Sequence, residues 1–255
     1  MGSTTLRADL ANLIKAMPAG LKVHVVGRTT ALSTSVYNSL KALPNVASIE
    51  RISGADRYGT AAAVATKMKS VLGAAFPKTV FIANGNLTSQ QWDALTAATV
   101  SAKLHYPVLL VTDTSVPAVT SSVLSSLGLS TRYIVGNTTA VSNSVRITLG
   151  VSTANQISGA NRAATAVAFA NKAKSSGWLS TSSVGFANAF SDAFTARPFM
   201  RKLGGPLLWV DATSIPTSTS SFLTGNKANI HDGYAFGGTG VLSNTVMTSL
   251  FNLIK

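Results

Sequence analysis

Residues Ile52–Thr60 read ISGADRYGT, and Ile157–Thr165 read ISGANRAAT. Three more echoes follow each copy in the same order. QWDALTAA at Gln91–Ala98 answers to FSDAFTAR at Phe190–Arg197, and PVLLVTD at Pro107–Asp113 to PLLWVDA at Pro206–Ala212. YIVGNTTAVSNSV at Tyr133–Val145 answers to YAFGGTGVLSNTV at Tyr234–Val246. Four echoes in one order define a tandem repeat of about 100 residues, longer than a solenoid unit and near the size of a small domain.

Working outward, each copy alternates strand and helix. In the first, the apolar runs predict strands at Ile49–Ser53, Val80–Ala83, Val108–Val111 and Arg132–Val135. Between them, helical spacing predicts helices over Arg57–Leu72, Gln91–Leu104, Pro117–Leu127 and Ser142–Leu149. Short, continuously apolar strands fit a parallel sheet covered on both faces, and β and α in alternation predict an α/β fold with layered, mostly parallel sheets. Ahead of the first full copy stand a helix ended by Pro18 and Gly20, a strand at Val23–Val26, the turn VGRTT and a helix capped by Ser33. This is the pattern of the later half of a repeat. The sequence therefore divides into residues 1–48, the C-terminal half of a truncated module, and full modules at 49–152 and 153–255.

Of 255 residues, 46% are apolar and 11% charged, which predicts a substantial core and excludes a disordered chain. Lys and Arg number 21 against 8 acidic residues, a net charge of +13 that favours polyanionic partners. With no cysteine, a thiol nucleophile, a Cys-ligated metal and a disulfide framework are excluded. His24, His105 and His231 have no metal-ligand spacing, so neither metal nor cofactor is expected. FGGTG at Phe236–Gly240 lacks both the dinucleotide spacing and the P-loop lysine and reads as a tight turn. No apolar run is long enough to span a bilayer, and Met1–Leu6 lacks the character of a signal peptide.

Acidic residues concentrate in the echoes. Asp93 matches Asp192, Asp113 matches Asp211, and Arg57 matches Arg162. Asp56 and Asn161 stand where helix N-caps belong, and Asp93 and Asp192 lie in a first helical turn. These residues read as structural, with a carbohydrate or catalytic site as the sharper alternative. Lys67, Lys69, Lys172 and Lys174 complement helix ends, yet together with Arg197, Arg201 and Lys202 they are also the candidate face for a polyanion. A nucleic acid is disfavoured as that polyanion, since aromatics are 7% of the chain and basic residues are not concentrated on one helix.

The R-x-S-G-x-[DN]-R-x-x-T start at Arg51–Thr60, the D-A-[LF]-[ST]-A helix, the P-[IV]-L-L strand and the V-G-x-x-x-x-[VL]-S close together resemble the cell wall binding repeat 2 family. The resemblance covers nearly the whole chain. It implies tandem Rossmann-like three-layer modules, non-catalytic, that anchor surface proteins, autolysins and phage lysins to Gram-positive walls. The implied partner is an anionic, teichoic-acid-like polymer on peptidoglycan, reached outside the cell. A fused catalytic domain and a pseudo-threefold packing of modules are further implications. The family links the proline-leucine strand to anchoring; here it is Pro107, Leu109 and Leu110, and Pro206, Leu207 and Leu208, with the second copy open by one position. By their apolar character alone these residues read as a buried strand. The second copy departs from the pattern at Gln156, Asn161 and Ala163, which predicts weaker binding there. The competing expectation is a wall-modifying α/β enzyme that uses the motif carboxylates.

Overall fold

A computed structural model describes residues 4–86 and 92–255. The start of the helix predicted from Gln91 lies outside the described residues. The chain divides into two compact units, Met1–Gly73 and Ala74–Lys255.

In the first unit, α1 (Ala8–Lys15) precedes β1 (Leu21–Val26), α2 (Thr34–Lys41), β2 (Val46–Ile52) and α3 (Arg57–Leu72). β1 and β2 pair in parallel. Ser33 caps α2 by accepting a hydrogen bond from the Val36 amide, as expected of a short hydroxyl side chain at that position. Val25, Val36, Leu40 and Leu43 form the core of this unit.

The second unit contains two parallel sheets. The first runs in the order β4 (Val108–Val111), β3 (Thr79–Asn84), β5 (Thr131–Val135), β6 (Gln156–Ile157). Its connecting helices are α4 (Trp92–Leu104), α5 (Ala118–Ser126) and α6 (Asn143–Thr148). Val80, Phe81, Ile82 and Ala83 of β3 are all fully buried. Successive strand residues point to opposite faces, so both faces of this sheet are covered. The second sheet has the order β8 (Leu207–Trp209), β7 (Ser183–Ala187), β9 (Asp232–Phe236). With it go α7 (Arg162–Ser175), α8 (Phe190–Leu203), α9 (Thr217–Asn226) and α10 (Asn244–Ile254).

The strand that opens each sequence repeat joins the sheet of the repeat before it. β2 pairs with β1 and β6 with β5, so sheets and sequence repeats are out of phase by one strand. Register also settles the second copy of the proline-leucine strand. Leu109 and Leu110 lie beside Ile82 and Ala83, while Leu208 and Trp209 lie beside the corresponding Phe186 and Ala187. Leu208 and Trp209 are thus the counterparts of the Leu109–Leu110 pair. The matching of Asp113 with Asp211 is corrected accordingly. The Asp113 carbonyl accepts from the Ser142 amide and the Ala212 carbonyl from the Ser243 amide, so Asp113 corresponds to Ala212 and Asp211 to Thr112.

Candidate functional site

In the order β4-β3-β5-β6 the chain leaves β3 for β4 on one side and returns to add β5 on the other, so the strand order switches between β3 and β5. In open parallel sheets, ligands bind outside the carboxyl ends of the strands at such a point. A cleft of about 430 Å³ lies there. Three pieces of chain line it: Trp92 and Asp93 from the first turn of α4, Asn137, Thr139 and Ala140 from the turn after β5, and Asn161, Arg162 and Thr165 from the start of α7.

Local chemistry shapes each piece. Gly136 closes β5 at φ 123°, and a Cβ there would stand 2.6 Å from Asp93 Oδ2, so only glycine admits the carboxyl. Asn137 Oδ1 accepts from the Thr139 and Ala140 amides, which folds the turn. Asn161 caps α7 by accepting from the Ala164 amide at 2.9 Å. The motif glycine before it, Gly159, has no room for a side chain, since a Cβ would lie 2.4 Å from the Ala164 carbonyl carbon. Gln156 Nε2 donates to the carbonyls of Gly136 and Val141, tying the opening strand of the motif to the turn.

Electrostatically the cleft pairs a buried acid with a cation near its mouth. Asp93 is 8% exposed, and burial pushes its carboxyl up to about 7. Among the described residues no hydrogen bond or ion pair reaches that carboxyl. The Arg162 guanidinium lies over Trp92 at 5.3 Å and over Trp209 at 5.9 Å, and Nη2 stands 3.5 Å from Asp211 Oδ1. Trp92 meets Trp209 edge to face at 4.6 Å and Phe190 at 5.2 Å. This wall of stacked rings and guanidinium is held by contacts worth about 0.5–1 kcal/mol each at exposed sites. The half-exposed Arg162–Asp211 pair adds little.

The first unit builds the same cleft again. Gly27, Arg28, Thr30 and Ala31 after β1 face Ala55, Asp56, Arg57 and Thr60 at the start of α3, around about 470 Å³. Asp56 caps α3 through the Gly59 amide at 2.8 Å, and Arg51 Nη1 donates to the Gly27 carbonyl at 2.6 Å, as Gln156 does to that of Gly136. Arg28 stands in place of Asn137, with its Nη1 on the Ala55 carbonyl.

The predicted lysine and arginine face is not brought together at either cleft. Lys67 forms an ion pair with Glu50 at 2.6 Å, holding that carboxyl below the usual range, and Lys69 donates to the Gly73 carbonyl. Lys172 lies over the Tyr133 ring, and Lys174 donates to Asn226 Oδ1 at 2.6 Å. Arg201 Nε donates to the Ala102 carbonyl, Arg197 lies over Phe194, and Lys202 is exposed. Pro107, Leu109, Pro206, Leu207 and Leu208 are buried and Leu110 is half-buried. Asp192 lies beside the Gly237 turn, its Oδ2 placed 2.7 Å from where a Cβ would be. Trp92, Arg28 and Asn137 line the clefts and the buried Trp209 backs Trp92, and the sequence reading singled out none of the four. The only signal for Trp209 was its intrusion into a leucine pair.

Among the described residues, no three His, Asp or Glu side chains converge on a metal-sized position, and no helix is long and apolar enough to cross a membrane. What stands out is an α/β repeat protein whose sheet-end cleft is built twice from one motif. The family model for cell wall binding domain 2 (CWB2) matches residues 51–146 and 156–247. The chain belongs to this family, and its role is binding to the cell wall. It is 34% identical over 232 residues to the N-acetylmuramoyl-L-alanine amidase LytC of Bacillus subtilis (strain 168), covering 90% of this chain and 43% of the amidase. Its fold is that of part of Cwp6 from Clostridium difficile, with a TM-score of 0.86 at 23% identity over 99% of this chain and 39% of Cwp6. It is likewise that of part of Cwp8 from the same organism, with a TM-score of 0.75 at 22% identity, covering 91% and 38% of the two chains. The chain thus spans less than half the length of each of these proteins.

Proposed function

We propose that the two clefts are the sites through which this chain holds anionic secondary polymers of Gram-positive walls, teichoic-acid-like chains carried on peptidoglycan. The supporting observation is the repetition itself: a strand-end turn and a capped helix start, with an arginine at the head of the helix, recur as Arg57 in one unit and Arg162 in the other. A cleft of this size accepts a sugar residue, amide and hydroxyl side chains can bond its hydroxyls, and a guanidinium suits phosphate or carboxylate. Two sites on one chain gain avidity on a repetitive polymer, and the net charge of +13 favours a negatively charged coat. In this reading the chain is the non-catalytic targeting region of an endolysin, autolysin or surface protein and works outside the cell.

The test is sedimentation with whole walls by Arg57→Ala, Arg162→Ala and the double variant, with circular dichroism as a check on folding. A charge-assisted hydrogen bond contributes about 1.5–3 kcal/mol, so each single change lowers affinity about tenfold or more, and the double variant loses the avidity as well. Wild-type binding by the folded double variant would reject the clefts as sites.

One observation favours a second reading, a wall-modifying enzyme. A carboxyl that titrates near 7 is suited to general acid catalysis. Turnover of wall material that disappears in a folded Asp93→Asn variant would establish it, and absence of turnover in the unaltered chain removes it.

A further inference from the structure

The two clefts differ in one respect that bears on what each can hold. Asp93 lines the second cleft, beside Asn137, Asn161 and Arg162, as an acid with nothing to balance it. The residue is 8% exposed, its Oδ2 stands where a Gly136 side chain would be, and among the described residues no donor or cation reaches the carboxyl. Its echo Asp192 is half-buried, so the burial belongs to this cleft and not to the motif. The first cleft is built without such a group. Its acid, Asp56, is exposed and engaged by the Gly59 amide, and both Arg28 and Arg57 line it.

Charge around Asp93 is confined to one side chain. Of the elements packed against α4, β3, β4 and β8 carry no ionisable side chain, and neither does the turn after β5. Arg132 of β5 donates to the Leu129 and Leu149 carbonyls, and Tyr133 packs on Phe81 and Trp178. On α7, Lys172 and Lys174 are held at Tyr133 and Asn226. On α8, Arg197 and Arg201 are held at Phe194 and the Ala102 carbonyl, Lys202 is exposed, and Asp192 faces Gly237. Lys103 ends α4 beside Gly204. The acids that follow β4 and β8, Asp113 and Asp211, face Asn86 and Arg162. Among the described residues that leaves Arg162 as the one charged group sharing the cleft with Asp93.

Resting on the reading of the clefts as polymer sites, we infer that Asp93 gates the second one: as the neutral acid it donates a hydrogen bond to an anionic phosphodiester oxygen beside Arg162, and as the carboxylate it repels that oxygen. The second cleft therefore holds the polymer in acid to neutral surroundings and loosens in alkaline ones, while the first holds it throughout. Burial favours the neutral acid because a charged group loses its hydration there. A phosphodiester keeps its charge over the same range, so the switch lies in the protein. Linkage makes the effect reciprocal: a bound anion favours the proton on Asp93, and binding in mildly alkaline solution takes up a proton.

The test measures binding of the full chain to walls that carry a phosphodiester polymer, at about pH 5.5 and about pH 8.5, either side of the neutral range. Circular dichroism at both pH values checks the fold. Arg57→Ala isolates the second cleft, and its affinity falls by about tenfold or more between the two conditions, as the loss of one proton-dependent contact allows. Adding Asp93→Asn, which keeps a donor and removes the titration, abolishes the fall. Arg162→Ala, left with the first cleft, shows no fall of that size, which also separates the effect from titration of the wall itself. Calorimetry in buffers of different ionisation enthalpy shows proton uptake on binding by Arg57→Ala at about pH 8, and none once Asp93→Asn is added. The inference is overturned if binding by Arg57→Ala depends on Arg162 but not on pH, or if the fall persists with Asp93→Asn. If the folded Arg57→Ala, Arg162→Ala double variant binds as the unaltered chain does, the clefts are not the sites and the inference falls with that reading.

Discussion

Asp93 is the residue in which structure and chemistry meet most closely. Burial lifts its folded pKa to about 7, well above that of an exposed aspartate. Between about pH 4 and pH 7 the folded chain therefore retains a proton that the unfolded chain has lost. Stability attributable to this group is complete at low pH and falls as pH rises to about 7, with a slope of at most about 1.4 kcal/mol per pH unit. Asp93→Asn should flatten that segment of the profile in denaturant melts across pH 4–8. An unchanged slope would show that Asp93 titrates normally. Gly136 is the companion position: with φ at 123° and the Asp93 carboxyl against it, Gly136→Ala should cost more than about 1 kcal/mol by denaturant midpoint. At this scale the sequence was partly legible. Scarcity of acidic residues drew attention to Asp93, and its echo Asp192 marked the position as part of the repeat. Its burial was not legible, because that depends on a turn brought in from another strand.

At the scale of elements, Arg57–Leu72 and Val108–Val111 are found with the predicted bounds, since helical spacing and a short apolar run between breakers are local signals. Which sheet a strand joins is not a local signal. β6 opens one repeat in sequence and closes the sheet of the one before it, and no periodicity along the chain records that partner. The cleft was hidden for the same reason, since α4, the turn after β5 and the start of α7 meet only when β3, β5 and β6 align. The proline-leucine strand can also be weighed here. Leu109 is fully buried in β4, so Leu109→Ala should destabilise by about 2–5 kcal/mol. Wall binding by this variant should fall only in step with its folded fraction, measured by thermal melting on the same samples. Lost binding by a fully folded variant would give the strand a direct role at the ligand.

For the whole molecule, positive charge outweighs negative throughout a chain whose two units each present an arginine-headed cleft. Exposed charge is screened over about 10 Å at 0.1 M salt, so binding to walls should weaken steadily as salt is raised, and a salt-independent affinity would argue for purely neutral contacts. In the proposed function the ligand is the anionic polymer rather than the peptidoglycan that carries it. The most direct measurement is co-sedimentation of the chain with intact walls and with the same walls stripped of their anionic polymer, with the soluble polymer as competitor. Binding to intact walls, its loss on stripping, and displacement by the free polymer are the expected results. Undiminished binding to bare peptidoglycan would contradict it.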